Sequence, residues 1–233
     1  MNKKVVIGIL SATVLGGLLW QKSQTVSNPS WEQPAMSSVA HITLSGRFNS
    51  NRLKTLRRQI DTALEESKQL VNIWDETTEI SQFNRFVSTE PFPVSAKFAE
   101  IIRYALGFSA QTEGAFDPTV KPLVDHWGFG PKADAQPLEE IMQAVGWQKV
   151  RIESGTLIKS HPQLQLDLAA IADGYGADCV AAVIRAHGYT NFLIEVGGEL
   201  IAEGTKQSGK PWRVGIEAPS PEKTSGTEIF RTL

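Results

Sequence analysis

The stretch from Leu164 to Gly204 constrains the chain more than any other. It reads as an apolar strand, Gln163 to Leu168, followed by a turn of small residues from Ala169 to Gly176. A helix from about Ala177 to His187 comes next, and then a second strand, Phe192 to Val196, which runs into Gly197-Gly198-Glu199. Alternating apolar residues make the strands and apolar residues three or four apart make the helix. The two glycine-bearing turns, at the ends of two apolar strands, each carry a carboxylate, Asp173 and Glu199. Glycine has no Cβ, so its main chain can approach a ligand closely. Free N–H groups at a helix start favour an anion such as phosphate. The pattern therefore admits a phosphate-bearing ligand, and equally a plain pair of tight turns with solvated acids.

The 233 residues permit one large or two small domains, and 41% hydrophobic residues suffice for a core. The formal net charge is −2, and setting aside Lys3, Lys4 and Lys22 makes it −5. No basic face of the kind that nucleic acid requires is present, so a nucleic-acid partner is not expected. Cys179 is the one cysteine, which rules out a disulfide or a thiolate cluster within the chain.

Residues 1–22 read as a targeting segment, with Lys3 and Lys4 before an uncharged run from Val5 to Trp20. The run is short for a spanning helix, which needs about 20 apolar residues. It is long enough for a secretory leader. It serves either as a cleaved signal or as membrane attachment through residues 5–20. Both place the folded part outside the cytoplasm, periplasmic or anchored facing the periplasm. Residues 23–35 read as a tether, and residues 36–233 as one domain.

Within that domain a strand from Val39 to Leu44 precedes a long helix carrying Leu53, Leu56, Ile60, Leu64, Ser67, Val71 and Trp74, with Ser50 or Asn51 as its cap. The segment from Trp74 to Asn84 reads as a loop with packing anchors at Trp74, Ile80 and Phe83. Ser95 caps a helix to about Gln111, with Phe98, Ile101, Ile102, Ala105 and Phe108 on one side. Gly, Pro and aromatic residues from Thr112 to Pro131 make a rigid, shaped loop, the kind of element that carries function. Trp127 and Phe129 read there as an aromatic packing knot. A short helix from Pro137 to Val145 and strands at Val150–Glu153 and Leu157–Lys159 complete the series. A Ser or Cys hydrolase finds little support, because no Gly-x-Ser-x-Gly elbow occurs.

Several motifs in order resemble the ApbE family of flavin transferases. They are Ile80-Ser81-Gln82-Phe83-Asn84, Thr112 through Val120 with Gly114-Ala115-Phe116-Asp117-Pro118, and Trp127-Gly128-Phe129-Gly130. Leu166-Asp167-Leu168, Ala172-Asp173-Gly174-Tyr175, Val196-Gly197-Gly198-Glu199 and Pro211-Trp212-Arg213-Val214 follow. The resemblance covers the chain from about Met36 to its end. It implies an α+β fold and a magnesium-dependent, extracytoplasmic enzyme that splits FAD, places FMN on a Thr or Ser hydroxyl of a target protein and releases AMP. Some members hydrolyse FAD to FMN and AMP instead. The implied acceptor is an extracytoplasmic protein of a membrane redox system.

Carried over by motif, the flavin site comprises Met36, Trp74, Asn84, Ala115, Phe116, Asp117, Asp167 and Asp173, and the backbone carbonyl of Ala170 is the first Mg²⁺ ligand. Each aspartate taken singly is equally a turn-capping carboxylate. Ser37-Ser38 stands where the family has Gly-Thr, Trp74 where Tyr is common, and Asp173 where Lys or Glu is frequent. The family pattern continues past Leu233 into the remaining metal ligands and the general base. The expectation is therefore either a fragment of an active transferase or a truncated product that binds flavin without catalysis, with little transfer by this chain alone. The run Glu228 to Leu233 reads as a strand with an open edge.

Overall fold

In the computed structural model, residues 25–36, 38–130, 136–217 and 229–232 are described. The leader, residues 1–22, lies outside them. The architecture is α+β. A four-stranded antiparallel sheet is ordered β2 (Ser30–Ala35), β3 (Ser38–Leu44), β8 (Phe192–Val196), β9 (Glu199–Glu203). Alternation works as the sequence suggests: Ala40, Ile42 and Leu44 of β3 are buried opposite Val196, Ile194 and Phe192 of β8.

Helix α1 (Ser50–Val71) buries Leu53, Leu56, Ile60, Leu64 and Ser67, and packs beside α6 (Ala169–Ala186), which contributes Ala177, Val180, Ala181 and Ile184 to the same core. Its cap is Asn49, one residue before the expected pair, whose side chain accepts from the N–H groups of Asn51 at 2.9 Å and Arg52 at 3.2 Å. Short strands β1 (Thr25–Ser27) and β4 (Arg47–Asn49) pair beside it.

A second core lies under α2 (Glu79–Arg85), α3 (Ala96–Gln111) and a three-stranded sheet of β5 (Phe92–Pro93), β7 (Thr156–Lys159) and β6 (Val150–Glu153). Ile80, Phe83, Phe98, Ile101, Ile102, Leu157, Leu164, Leu166 and Leu168 fill it. Two short helices, α4 (Lys121–His126) and α5 (Leu138–Ala144), lie between α3 and β6.

The structure corrects several expectations. Within the expected tether, residues 25–27 and 30–35 are strands, and β2 pairs along its length with β3. The Trp74–Asn84 segment holds a helix, α2, because Thr78 caps it by accepting from Ser81 N–H at 3.3 Å. α1 ends at Val71, which leaves Trp74 67% exposed rather than anchored. Phe108, Trp127 and Phe129 are also exposed, so the last two form no packing knot. Gln163 lies in a turn and residues 164–168 have no regular secondary structure, so the expected strand is absent there, and 169–176 are the first two turns of α6 rather than a loop. Gly174 and Gly176 look like breakers because each costs a helix about 1 kcal/mol. At Gly176 the missing Cβ makes room for the Met36 side chain, whose terminal Cε lies 2.7 Å from where a Cβ would stand. The terminal strand, β11 (Ile229–Thr232), is not unpartnered: it pairs antiparallel with β10 (Gly215–Glu217).

Candidate functional site

Most of the residues carried over by motif lie around the first half of α6. In the segment leading into it, Leu164, Leu166 and Leu168 are buried and Asp167, between them, is partly exposed. Asp167 N–H donates to the Pro118 carbonyl at 2.8 Å, which fastens the Ala115–Asp117 loop beside the helix start. The Asp167 carboxylate accepts from Ala169 N–H at 2.8 Å, a favourable position for negative charge at a helix N-terminus. Asn84 is buried and takes both backbone groups of Leu166, donating to its carbonyl at 2.9 Å and accepting from its N–H at 2.7 Å.

Asp117 braces the loop from inside. One carboxylate oxygen accepts from Thr119 N–H at 2.8 Å and from its hydroxyl at 2.6 Å, and the other accepts from Trp147 N–H at 3.0 Å. Thr119 Oγ1 in turn accepts from Gly146 N–H at 2.7 Å. Asp117 is thus a turn-capping carboxylate that sets the loop's shape. Phe116 packs against the second core and Ala115 is exposed at the surface of the loop.

About one turn along α6 from its start, Asp173 faces the hairpin between β8 and β9. That hairpin has a two-residue loop, Gly197 (φ 59°) and Gly198 (φ 100°), joining the Val196–Glu199 pair, a geometry that favours glycine at both positions. A Cβ on Gly197 would lie 2.4 Å from Asp173 Oδ2. Asp173 Oδ1 is buried without a hydrogen-bond partner. Burial, then Glu199, then Glu195 push its carboxyl above the usual carboxylate range. Glu195 accepts from Gly198 N–H at 2.5 Å and reaches His41 at 3.4 Å, and His41 reaches Glu32 at 3.2 Å.

Gly197→Ala is expected to destabilise the protein by about 1–2 kcal/mol through its left-handed backbone alone. It also forces Asp173 out of place. Denaturant melts of Gly197→Ala with and without Asp173→Ala isolate the collision as the coupling between the two substitutions.

Met36 (φ 51°) lies in the turn just after β2 and lays its side chain on Gly176, so it too reaches the first half of α6. Trp74 lies in the turn after α1, its ring exposed and its N–H bonded to Asn72 Oδ1 at 3.0 Å; no contact recorded among the described residues ties it to the others.

Beside the helix a cavity of about 870 Å³ opens between α3, α6 and β9. Ala170, Gly174 and Tyr175 line it on one side, Tyr104 and Phe108 on another, and Glu199 at a third. This volume falls in the range of small-molecule and cofactor pockets. Sequence reading missed Tyr104 as a lining residue and placed Phe108 on the core face. The available signal was that α3 carries aromatics beyond those its core stripe needs. Cys179 also faces the cavity, its thiol pushed up mainly by burial, as is the Tyr175 hydroxyl.

Ala170 is the second residue of α6 and its backbone adjoins this cavity. Among the described residues no group of three or more His, Cys, Asp or Glu could hold a metal ion. Mg²⁺ is normally anchored by one or two carboxylates. The described residues therefore do not by themselves make a magnesium site.

The ApbE family model matches residues 36–233. The FAD:protein FMN transferase of Vibrio cholerae (strain O395) is 41% identical over 203 residues, spanning 84% of this chain and 61% of that protein. Its Haemophilus influenzae counterpart is 33% identical over 232 residues, spanning 94% of this chain and 66% of that protein. The structure of flavin transferase ApbE from Vibrio cholerae superposes with a TM-score of 0.74 at 35% identity, covering 84% of this chain and 64% of that one. Pseudomonas stutzeri flavinyl transferase ApbE, in its apo form, gives 0.73 at 28% identity, covering 82% and 66%. The chain thus spans about three fifths of the first of these curated relatives. The motif order, the α+β architecture and these matches agree: the chain belongs to the ApbE family.

Proposed function

We propose that the protein acts as an FAD:protein FMN transferase, moving FMN from FAD to a Thr or Ser hydroxyl of an acceptor protein with release of AMP. The observation that carries the reading is the convergence of Asp167, the Ala115–Asp117 loop and Asp173 on the first half of α6, the stretch whose Ala170, Ile171, Gly174 and Tyr175 wall the cavity. In this reading α6 supplies N–H groups toward the phosphate end of FAD, and the exposed ring of Tyr104 in the cavity wall offers a stacking face; Trp74 is nominated by the family resemblance alone. The protein's task in such a transfer is mainly positioning and charge stabilisation. Mg²⁺, proposed from the family resemblance, would neutralise the pyrophosphate when bound; the described residues do not by themselves supply its ligand set.

The proposed setting is extracytoplasmic, with an acceptor from a membrane redox system and attachment through residues 5–20. Among the described residues no helix is long and apolar enough to cross a membrane, and residues 5–20 lie outside them. A second reading, flavin binding without transfer by this chain, is favoured by the incomplete metal-ligand set among the described residues.

One assay separates the readings. The chain is incubated with FAD, Mg²⁺ and an acceptor protein bearing an exposed Thr, and AMP and acceptor mass are followed. Flavin-bearing acceptor with equimolar AMP supports transfer. Free FMN with AMP supports hydrolysis. FAD that binds and stays intact supports binding alone, and FAD that does not bind removes all three.

A further inference from the structure

We propose that Asn84 and Lys159 are positioning residues of the flavin site: together they replace the missing neighbour strand of residues 164–167 and so fix where Asp167 stands. This rests on the flavin reading above; it gives Asn84, already placed in the flavin site by motif, a role that needs no contact with the ligand, and it adds Lys159.

The segment has a strand's alternation of burial but pairs with no strand among the described residues. Leu164, Leu166 and Leu168 are fully buried, and buried backbone groups require partners. Side chains supply them. The Asn84 amide occupies both the N–H and the carbonyl of Leu166, as a paired strand would. Lys159, 1% exposed, donates to the Leu164 carbonyl at 2.9 Å and to the Phe83 carbonyl at 3.5 Å, with its ammonium 4.7 Å from the Phe83 ring centroid. Phe83 and Asn84 are neighbours on α2, so both clamps tie the same helix turn to the same segment. The next residue is Asp167, whose N–H holds Pro118 and whose carboxylate meets the start of α6. A shift at Leu166 therefore passes within one residue to the loop and the helix end. A buried cation without a carboxylate partner is a poor choice for stability alone, since apolar replacements of buried charges are often neutral or better. Its geometry is what an apolar side chain cannot reproduce.

The test is an FAD titration of the full chain by flavin fluorescence, with thermal unfolding and the visible circular dichroism of bound flavin recorded on each variant. Asn84→Leu is expected to weaken FAD binding about tenfold while the chain remains folded. Asn84→Asp, which keeps the acceptor for Leu166 N–H, is expected to lose about threefold, and Lys159→Met a similar amount. Both variants should change the bound-flavin dichroism. Leu53→Ala, in the other core, should lower the melting temperature with FAD affinity unchanged. If Asn84→Leu does not fold, Asn84→Asp and Lys159→Met decide by the same comparison. Wild-type affinity and dichroism in the folded variants would overturn the proposal. A wild-type chain that does not bind FAD removes the flavin reading and this proposal with it, an outcome distinguishable from the first.

Discussion

Asp125→Ala is expected to destabilise the protein by about 3–5 kcal/mol, because it strands a buried charge. Lys121 is 4% exposed and Asp125 8%, and the two pair across one turn of α4. Removing the carboxylate leaves the ammonium buried with its main partner gone. The same pair explains part of the Trp127-Gly128-Phe129-Gly130 motif. A Cβ on Gly130 would lie 1.7 Å from Asp125 Oδ1, so the glycine lets the chain close over the carboxylate. Replacing both charges together, Lys121→Met with Asp125→Leu, should recover most of the loss, since apolar substitutes remove the desolvation cost on both sides. Urea unfolding of the single and double variants checks this; equal losses in both would show that packing rather than charge governs the site.

Lys159 carries the second large effect, a pH dependence. Burial lowers its ammonium from 10.5 to about 8. Between those values the unfolded chain holds a proton that the folded one has released, so stability rises with pH there. Below about pH 8 both states are protonated and the desolvation penalty is fully present. The whole rise amounts to about 3 kcal/mol at most. Other lysines and tyrosines titrate in the same range, so the measurement is a difference: unfolding free energy of the wild type against Lys159→Met from pH 7 to 10.5. The wild type should gain stability relative to the variant as pH increases, and parallel curves would show that Lys159 titrates normally.

Much of this fold was legible because its helices and strands bury clean stripes. α1 and α3 announce themselves by apolar residues three or four apart, and β3, β6, β7 and β8 by alternation. The failures have physical causes. At residues 163–168 the alternation was real, but periodicity reports which side chains are buried and not what satisfies the backbone, which here is Asn84 and Lys159. At the start of α6 two glycines suggested a turn, while Gly176 inside the helix gives the Met36 side chain room to lie against it. The polar composition of residues 25–35 suggested a tether, because an outer strand such as β2, with one neighbour and one exposed face, needs few apolar residues.

The site divides similarly. Residue types and order were enough to nominate Asp117, Asp167 and Asp173, but their roles depend on neighbours far away in sequence. Asp117 is satisfied by Thr119 and Trp147, Asp167 by the start of α6, and Asp173 retains a buried oxygen without a partner. Nothing in the local sequence distinguishes these three carboxylates, which differ in the donors that the fold brings to them.

The most direct test of the claim that flavin sits at the first half of α6 is an equilibrium FAD titration of the full chain and its Asp167→Ala variant, read by flavin fluorescence. Saturable FAD binding by the wild type, weakened about tenfold or more in the variant while unfolding remains cooperative, is the expected result. No saturable binding by the wild type, or equal affinity in the two, would contradict it.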